Sequence, residues 1–304
     1  MTATTNEPAT KLLPLSSPGK AFGSQCAVYA DINPVAADEI AGWWSTIEAS
    51  WSRFIPSSDL CSVNENAGSW VEVPPHLAAA VRHALQLREL TDGIFDLTTR
   101  VADWGYDTDF GTVEKSARHI VQKEWSSALV EVSDDAVRVE AGGAIDLGGI
   151  GKGLVADMTC DLLRQRGATR IVVDIGGDVA LHGDWSIDAS DDNGDSWARW
   201  NVSGGGVATS AVTYRTWSTS TGREVHHLID PRTGAPASST YTAVSAHATS
   251  ACAAEVAAKV ALISGCLDRA TTVGGVAVGL FRNGLCDVPA SAKQWASPVM
   301  VFTR

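Results

Sequence analysis

Residues 144–153 read AIDLGGIGKG, and this stretch constrains the fold more than any other. Its four glycines make poor strand and poor helix, because glycine loses more backbone freedom on ordering than any other residue. An apolar pair precedes them, and the periodic run LVADMTCDLLRQRG follows at 154–167. The expectation is a strand that ends near Asp146, a bare glycine turn, and a helix that begins near Gly153. Free N–H groups at such a helix start can hold an anion, and Lys152 adds a positive charge beside them. The spacing is not that of a P-loop, since Gly153 stands where Ser or Thr would follow the lysine, and GxGxxG is absent. Taken alone, the stretch fits a glycine turn with an exposed lysine as well as it fits a phosphate site.

The chain has 304 residues, enough for one large domain or two ordinary ones, and 45% are hydrophobic, so a full core can be buried. A net charge of −12 disfavours nucleic acid and anionic membrane as main partners. No run approaches the roughly 18 apolar residues of a membrane-spanning helix, and the first residues lack the apolar core of a signal peptide. A soluble, cytoplasmic protein without membrane insertion is expected. The six cysteines are scattered singly with no CxxC, which suggests buried free thiols rather than zinc or disulfides.

Residues 1–20 are polar and Pro/Ser-rich and read as a flexible tail, leaving 21–304 as a single domain. Residues 43–54 read as the end of a helix. Residues 74–90 read as an amphipathic helix with Leu77, Val81, Ala84 and Leu85 on one face. Residues 129–140 alternate around Ser-Asp-Asp as a β-hairpin. The helix at 154–167 should turn Leu154, Val155, Met158 and Leu162 inward and end at Gly167. Residues 170–183 read as strand, glycine break and strand; 250–265 as a strong helix stopped by Gly265; and 274–286 as a strand with an Asn-Gly turn. Strands and helices mix without regular alternation, which predicts an α+β fold.

Two more turns invite chemistry. VDIGGDVALHG at 173–183 offers Asp174 and Asp178 as acceptors, or is a bulge with turn carboxylates. HHLIDPRTG at 226–234 packs two histidines, an aspartate and an arginine together, or is an Asp-Pro turn in which Arg232 pairs with Asp230. The ordered set SRFIPSSDLCSVNENAG (52–68), TDGIFDLTTRVADWGYD (91–107), DLGGIGKGLVAD (146–157), VDIGGDVALHG and HLIDPRTGAP (227–236) resembles the FAD:protein FMN transferases, the ApbE-type flavin transferases.

The resemblance implies an ApbE-like, T-fold-like arrangement of layered antiparallel sheets with packed helices. It implies binding of FAD and transfer of FMN to a Thr or Ser hydroxyl of an acceptor flavoprotein, with release of AMP and help from Mg²⁺. A non-catalytic FAD carrier and an FAD pyrophosphatase yielding FMN and AMP are the alternatives. Position by position, the resemblance assigns His227 as general base and Lys152 as the phosphate-gripping catalytic cation. It places Ser58, Asp59, Asn64, Phe95, Asp96, Asp146, Gly149, Asp157, Gly176, Gly177, Asp230 and Arg232 around FAD, and Gly151 (through its carbonyl) and Glu255 on the metal. His226 should face away from His227 if the segment is strand. One or two of the 11 tryptophans could stack on adenine or flavin.

The departure lies at 254–259, AEVAAK, where the family pattern reads Ala-Asp-x-x-x-Thr and its Asp and Thr bind the metal. Glu255 is a competent ligand, but Lys259 is not one while protonated. Lys259 either pairs with Glu255 on a solvated helix face, or stands in for part of the metal, or marks a site that binds flavin and transfers nothing.

Overall fold

The computed structural model describes residues 3–4, 13–32, 35–99, 101–106, 126–191 and 193–299. The chain divides into two compact units. One comprises Met1–Trp44, Lys152–Ala211 and Ser239–Arg304; the other comprises Ser45–Gly151 and Val212–Ser238.

The first unit is built on a ten-stranded antiparallel sheet. Its path runs Cys286–Asp287, Val276–Phe281, Tyr241–Ala248, Ser196–Ala211, Asp178–Ser190, Ile171–Ile175, Ser24–Ala30 and Leu13–Ala21, with Ala3–Thr4 and Ala296–Pro298 as short additions. Residues 13–20 therefore belong to a strand, where composition predicts a tail; residues 1, 2 and 5–12 of that tail lie outside the described residues. The reason is a tight hairpin. Phe22 and Gly23 both take positive φ, so the chain reverses and pairs Leu13 with Ala30 through to Ala21 with Ser24. Composition does not register a hydrogen-bond ladder supplied by the next strand.

Five helices bear on the argument: α1 (Ala37–Trp51), α2 (Asp59–Glu65), α3 (Pro75–Leu90), α4 (Gly151–Gln165) and α5 (Ala251–Ser264). In α1 the buried Ile40, Trp44, Ile47 and Trp51 repeat at helical spacing, and the Trp44 indole N–H donates to the Thr159 hydroxyl of α4 at 2.9 Å. No helix among the described residues is long and apolar enough to cross a membrane.

α5 lies on the sheet against Ser196–Ala211 and Tyr241–Ala248. It is buried nearly all round, its alanines seated on Ala208 and Ala248. Ser250 caps its start by accepting the Ala253 N–H at 3.1 Å, and Gly265 ends it at φ +65°. α4 meets α5 where α5 begins. A Cβ on Gly153 would come within 2.6 Å of the Cys252 Cα, so only glycine allows the approach. The Asp157 carboxylate, one turn on, accepts the free N–H groups of Ala251 and Cys252 at 2.7 and 2.9 Å.

This contact sets the rotation of α4. Val155, Ala156, Thr159, Cys160 and Leu163 are buried, whereas Met158 is exposed and Leu154 and Leu162 are half-buried. The inward face is thus rotated from the one that hydrophobicity alone predicts, because close helix–helix approach favours the side that carries glycine and alanine.

The second unit holds α2, α3 and a three-stranded sheet of Val71–Glu72, Ala136–Val139 and Val130–Val132. Within α3, Leu77, Val81 and Ala84 are buried as expected, with Leu87 rather than Leu85 completing the face. Two short ladders follow, Thr216–Ser218 with Glu224–His226 and Ile229–Asp230 with Ala235–Pro236. Replacement of Gly153 by alanine should force α4 and α5 apart and cost about 1–3 kcal/mol. Urea unfolding would register a lower midpoint at an unchanged slope.

Candidate functional site

The sequence-derived candidates fall in both units, and each group is described by itself. In the first unit, Gly176 and Gly177 are the two central residues of the hairpin between Ile171–Ile175 and Asp178–Ser190. Both take positive φ, as a two-residue turn of this kind requires, and the Asp174 carboxylate accepts the Gly177 N–H at 2.8 Å. A Cβ on Gly176 would collide with the Ser24 side chain at 2.5 Å. The segment is a hairpin turn rather than a bulge.

The turn delivers Asp178 to Lys152 at the start of α4, where the two side chains form a direct ion pair. Glu255 of α5 completes the cluster. Its Oε2 accepts the Gly153 N–H at 3.0 Å, its Oε1 accepts from the Lys259 ammonium at 2.7 Å, and Lys152 Nζ stands 4.0 Å from that same oxygen. The Glu255 side chain is 2% exposed, and the Lys259 and Lys152 side chains 15% and 16%. The Lys259–Glu255 pair is therefore largely enclosed, with Glu255 buried and Lys259 half-buried, not the solvated pair that helical spacing suggests. Burial raises the Glu255 carboxyl, but Lys259 and Lys152 outweigh it and hold the group below its ordinary range. Burial, and after it the Glu255 charge, push Asp178 up to about 6 against the pull of Lys152.

In the second unit, the Asp146 carboxylate splits its two oxygens. One accepts the Gly148 N–H at 2.7 Å, and the other pairs with Arg53 Nε at 2.9 Å. The Arg53 guanidinium lies over the Phe54 and Tyr106 rings, with centroids 4.0 and 4.9 Å away. Tyr106 continues into Trp217, whose indole N–H donates to the Trp104 carbonyl at 2.8 Å; the Trp104 indole donates to the Gly234 carbonyl at 2.7 Å. This aromatic cluster, with Val225 and Ile229, seats the segment that carries His227 and Arg232. Arg53, Trp104, Tyr106 and Trp217 escaped the sequence-derived set. Arg53, Trp104 and Tyr106 sit inside motifs quoted above, but nothing local signals their ring contacts, and Trp217 lies outside all five motifs.

Asp230 and Arg232 form a two-pronged pair at 2.9 and 2.7 Å, and the Arg232 backbone N–H donates to the same carboxylate. Burial raises Asp230, but these bonds prevail and hold it below its ordinary range. His226 is fixed between backbone groups. Its Nε2 meets the Ala237 carbonyl at 3.0 Å, so that nitrogen carries the proton, and Nδ1 accepts the Leu228 N–H at 3.3 Å. Burial lowers its basicity further. Half-buried His227 makes neither of these bonds.

Several expected FAD contacts hold the protein's own backbone. Ser58 is buried as the N-cap of α2, accepting the Cys61 N–H at 3.1 Å and donating to the Ser52 carbonyl at 2.7 Å. Asp59 accepts from Ser50 at 2.5 Å. The Asn64 side chain pairs with Ile145 like a neighbouring strand, at 3.0 and 2.8 Å, and so locates the glycine turn. Phe95 is buried, and the Asp96 carboxylate binds Thr98, Ser127 and Arg88. Asp157 holds the start of α5. Gly149 lies in the turn before α4, and Gly151 is the first residue of that helix.

A protein-family model described as the ApbE family matches residues 22–273. The chain belongs to the ApbE family. It is similar to the FAD:protein FMN transferase of Klebsiella pneumoniae, 32% identical over 40% of this chain and 39% of the relative's length. The FAD:protein FMN transferase of Haemophilus influenzae is 25% identical over 75% of this chain and 73% of its own. Among solved structures, the ApbE protein of Thermotoga maritima gives a TM-score of 0.76 at 22% identity, covering 93% of this chain and 98% of that one. The flavin transferase ApbE of Vibrio cholerae gives 0.74 at 19%, with the same coverage. These likenesses establish the α+β fold.

The residues expected to hold Mg²⁺ do not fit it. Mg²⁺ requires near-octahedral oxygen ligands at about 2.0–2.1 Å. Here one Glu255 oxygen is on a backbone N–H and the other is on an ammonium. A cation on that second oxygen would stand beside both Lys259 and Lys152. Repulsion between unit charges about 4 Å apart is on the order of 4 kcal/mol near a protein surface, and twice that for a dication. Among the described residues, no group of three or more His, Cys, Asp or Glu side chains could hold a metal ion.

Asp157 supplies a pH test of the α4–α5 joint. Burial pushes it from its ordinary 3.8 up to about 6, against the two backbone bonds it accepts. The folded state then binds a proton that the unfolded chain releases, so this group's contribution to stability falls as pH rises from about 4 to about 6. Wild type minus Asp157→Asn stability should therefore decline by roughly 3 kcal/mol at most across that window. Urea unfolding of both proteins at matched pH would measure the difference.

Proposed function

We propose that the protein transfers the FMN half of FAD to a Thr or Ser hydroxyl of an acceptor flavoprotein and releases AMP. One observation carries the reading: the family match at residues 22–273 takes in each of the glycine turns, Lys152 and His227. The names of the relatives in Klebsiella and Haemophilus support the substrate and the reaction.

In the proposed reaction, His227 takes the proton of the acceptor hydroxyl. The freed oxygen attacks the phosphorus on the FMN side of the diphosphate. The bond from that phosphorus to the bridging oxygen breaks, and its electron pair leaves with AMP. Imidazole suits the task because it exchanges a proton near neutral pH. His226 is unsuited, because the Leu228 N–H already occupies its only lone-pair nitrogen. The Lys152 ammonium, at the start of α4, supplies the charge that offsets the growing negative charge on the departing oxygen. No step is assigned to a metal, since the donor set around Glu255 does not suit one.

A second reading, an FAD carrier without transfer, is favoured by one observation: the Lys259 contact leaves Glu255 already neutralised. Incubation with FAD and an acceptor domain separates the readings. Covalent, in-gel fluorescent flavin on the acceptor with equimolar AMP supports transfer. Bound FAD without either product supports the carrier, and FMN with AMP in the absence of acceptor supports hydrolysis. Under the transfer reading, His227→Ala should lower the rate about 10²–10⁴-fold. FAD affinity, read from tryptophan quenching, should change little. Loss of FAD binding in that variant would assign His227 to the pocket wall instead.

A further inference from the structure

We infer that Lys259 is a built-in replacement for a divalent cation, so that the protein holds the diphosphate of FAD without any metal. The inference rests on FAD being the ligand.

The first argument is where the charge lies. α5 reads ACAAEVAAKVALIS, and Glu255 and Lys259 are its only charged residues. Charged side chains almost never occupy a helix buried on all sides unless they are paired. A surface ion pair would contribute little and could sit anywhere; this one joins a buried Glu255 to a half-buried Lys259, one turn apart, on the apolar helix that packs on the sheet.

The second argument is the charge count. Glu255 and Asp178 are both buried, and Lys152 alone cannot neutralise two carboxylates. Without Lys259 the cluster would carry an uncompensated negative charge, which a bound cation would have to cover. With Lys259 it holds two carboxylates and two ammoniums. The Lys259 nitrogen occupies the position on Glu255 Oε1, at 2.7 Å, where an ion would otherwise bind. The Lys259 and Lys152 side chains are 15% and 16% exposed, so neither is sealed completely from solvent. An ammonium makes up to three hydrogen bonds, and Glu255 takes one of those of Lys259.

The third argument is directional. The Gly153 N–H, which would otherwise be one of the unpaired donors at the start of α4, is closed by Glu255 Oε2. Glu255 is thereby fixed at both oxygens by the chain itself, so an external ion would have to displace or crowd one of these two bonds.

Two measurements test the inference without depending on transfer. In the first, FAD affinity of the full chain is read from tryptophan quenching in EDTA and in Mg²⁺. The two values should agree within about twofold; a requirement for Mg²⁺ would overturn the inference. In the second, the melting temperature of the FAD-free protein is followed with and without Mg²⁺. The wild type should not respond. Lys259→Thr, which strands a buried carboxylate, should melt roughly 10 °C lower in EDTA and recover most of that loss on addition of Mg²⁺. A wild type stabilised by Mg²⁺, or a variant indifferent to it, would overturn the inference. If the threonine variant does not fold in EDTA, refolding by Mg²⁺ supports the inference; if it folds in neither condition, Lys259→Gln, which keeps a donor to Glu255, carries the same comparison. Failure of the wild type to bind FAD under both conditions would count against the proposed function, and the melting comparison would still decide whether Lys259 replaces an ion.

Discussion

The first unit depends on the neutralisation of Glu255. This carboxylate lies inside a helix packed on nearly every side, and its two oxygens reach a backbone N–H of α4 and the ammonium of Lys259. Through Lys152 it is linked to Asp178, and so to the glycine hairpin in the sheet. Three elements distant in sequence are thus held in register by four charges whose sum is zero. The arrangement is stringent because the cost is asymmetric: a complete buried set adds little net stability, while removal of one member leaves an unpaired charge in a low dielectric. The packing around it is equally unforgiving, since Gly153 must pass the Cys252 backbone with no room for a methyl group.

The second unit uses its polar side chains in a different way. Asp146, Asn64, Ser58, Asp96 and Asp230 each hold a turn or a helix start by bonding to nearby backbone groups. A glycine-rich backbone has little intrinsic order, and such side-chain bonds replace the secondary structure that glycine cannot sustain. The aromatic cluster under Arg53 then fixes where these turns sit. The carboxylates of this unit thus shape its loops, holding backbone N–H groups that glycine-rich turns would otherwise leave without a partner.

Much of this was legible from the residues. The helices at 75–90, 151–165 and 251–264, the hairpins at 130–139 and 171–190, and the stops at Gly167 and Gly265 follow from periodicity and glycine placement. Five ordered motifs were sufficient to identify the family, although each was weak. The strand at 13–21 was not legible, because its stability comes from a ladder with residues 24–30 rather than from its own composition. The buried face of α4 is rotated a fraction of a turn from the one its larger apolar side chains predict, because small residues at a close helix crossing outweigh them.

What the sequence by itself determined was the set of chemical parts: glycine turns, one lysine beside a helix start, a histidine before Asp-Pro, and a glutamate and a lysine one turn apart in an apolar helix. Those are local facts, fixed by residue type and spacing. Only the tertiary structure decided what each part is paired with. It placed Ser58, Asn64, Asp96 and Asp157 on the backbone, assembled Arg53 with distant rings of the chain (Tyr106 directly, Trp217 through it), and set a half-buried Lys259 against buried Glu255. The physical reason is that a side chain's role depends on its local dielectric and its partners. Both are set by elements far apart in sequence, and no window of neighbouring residues contains them.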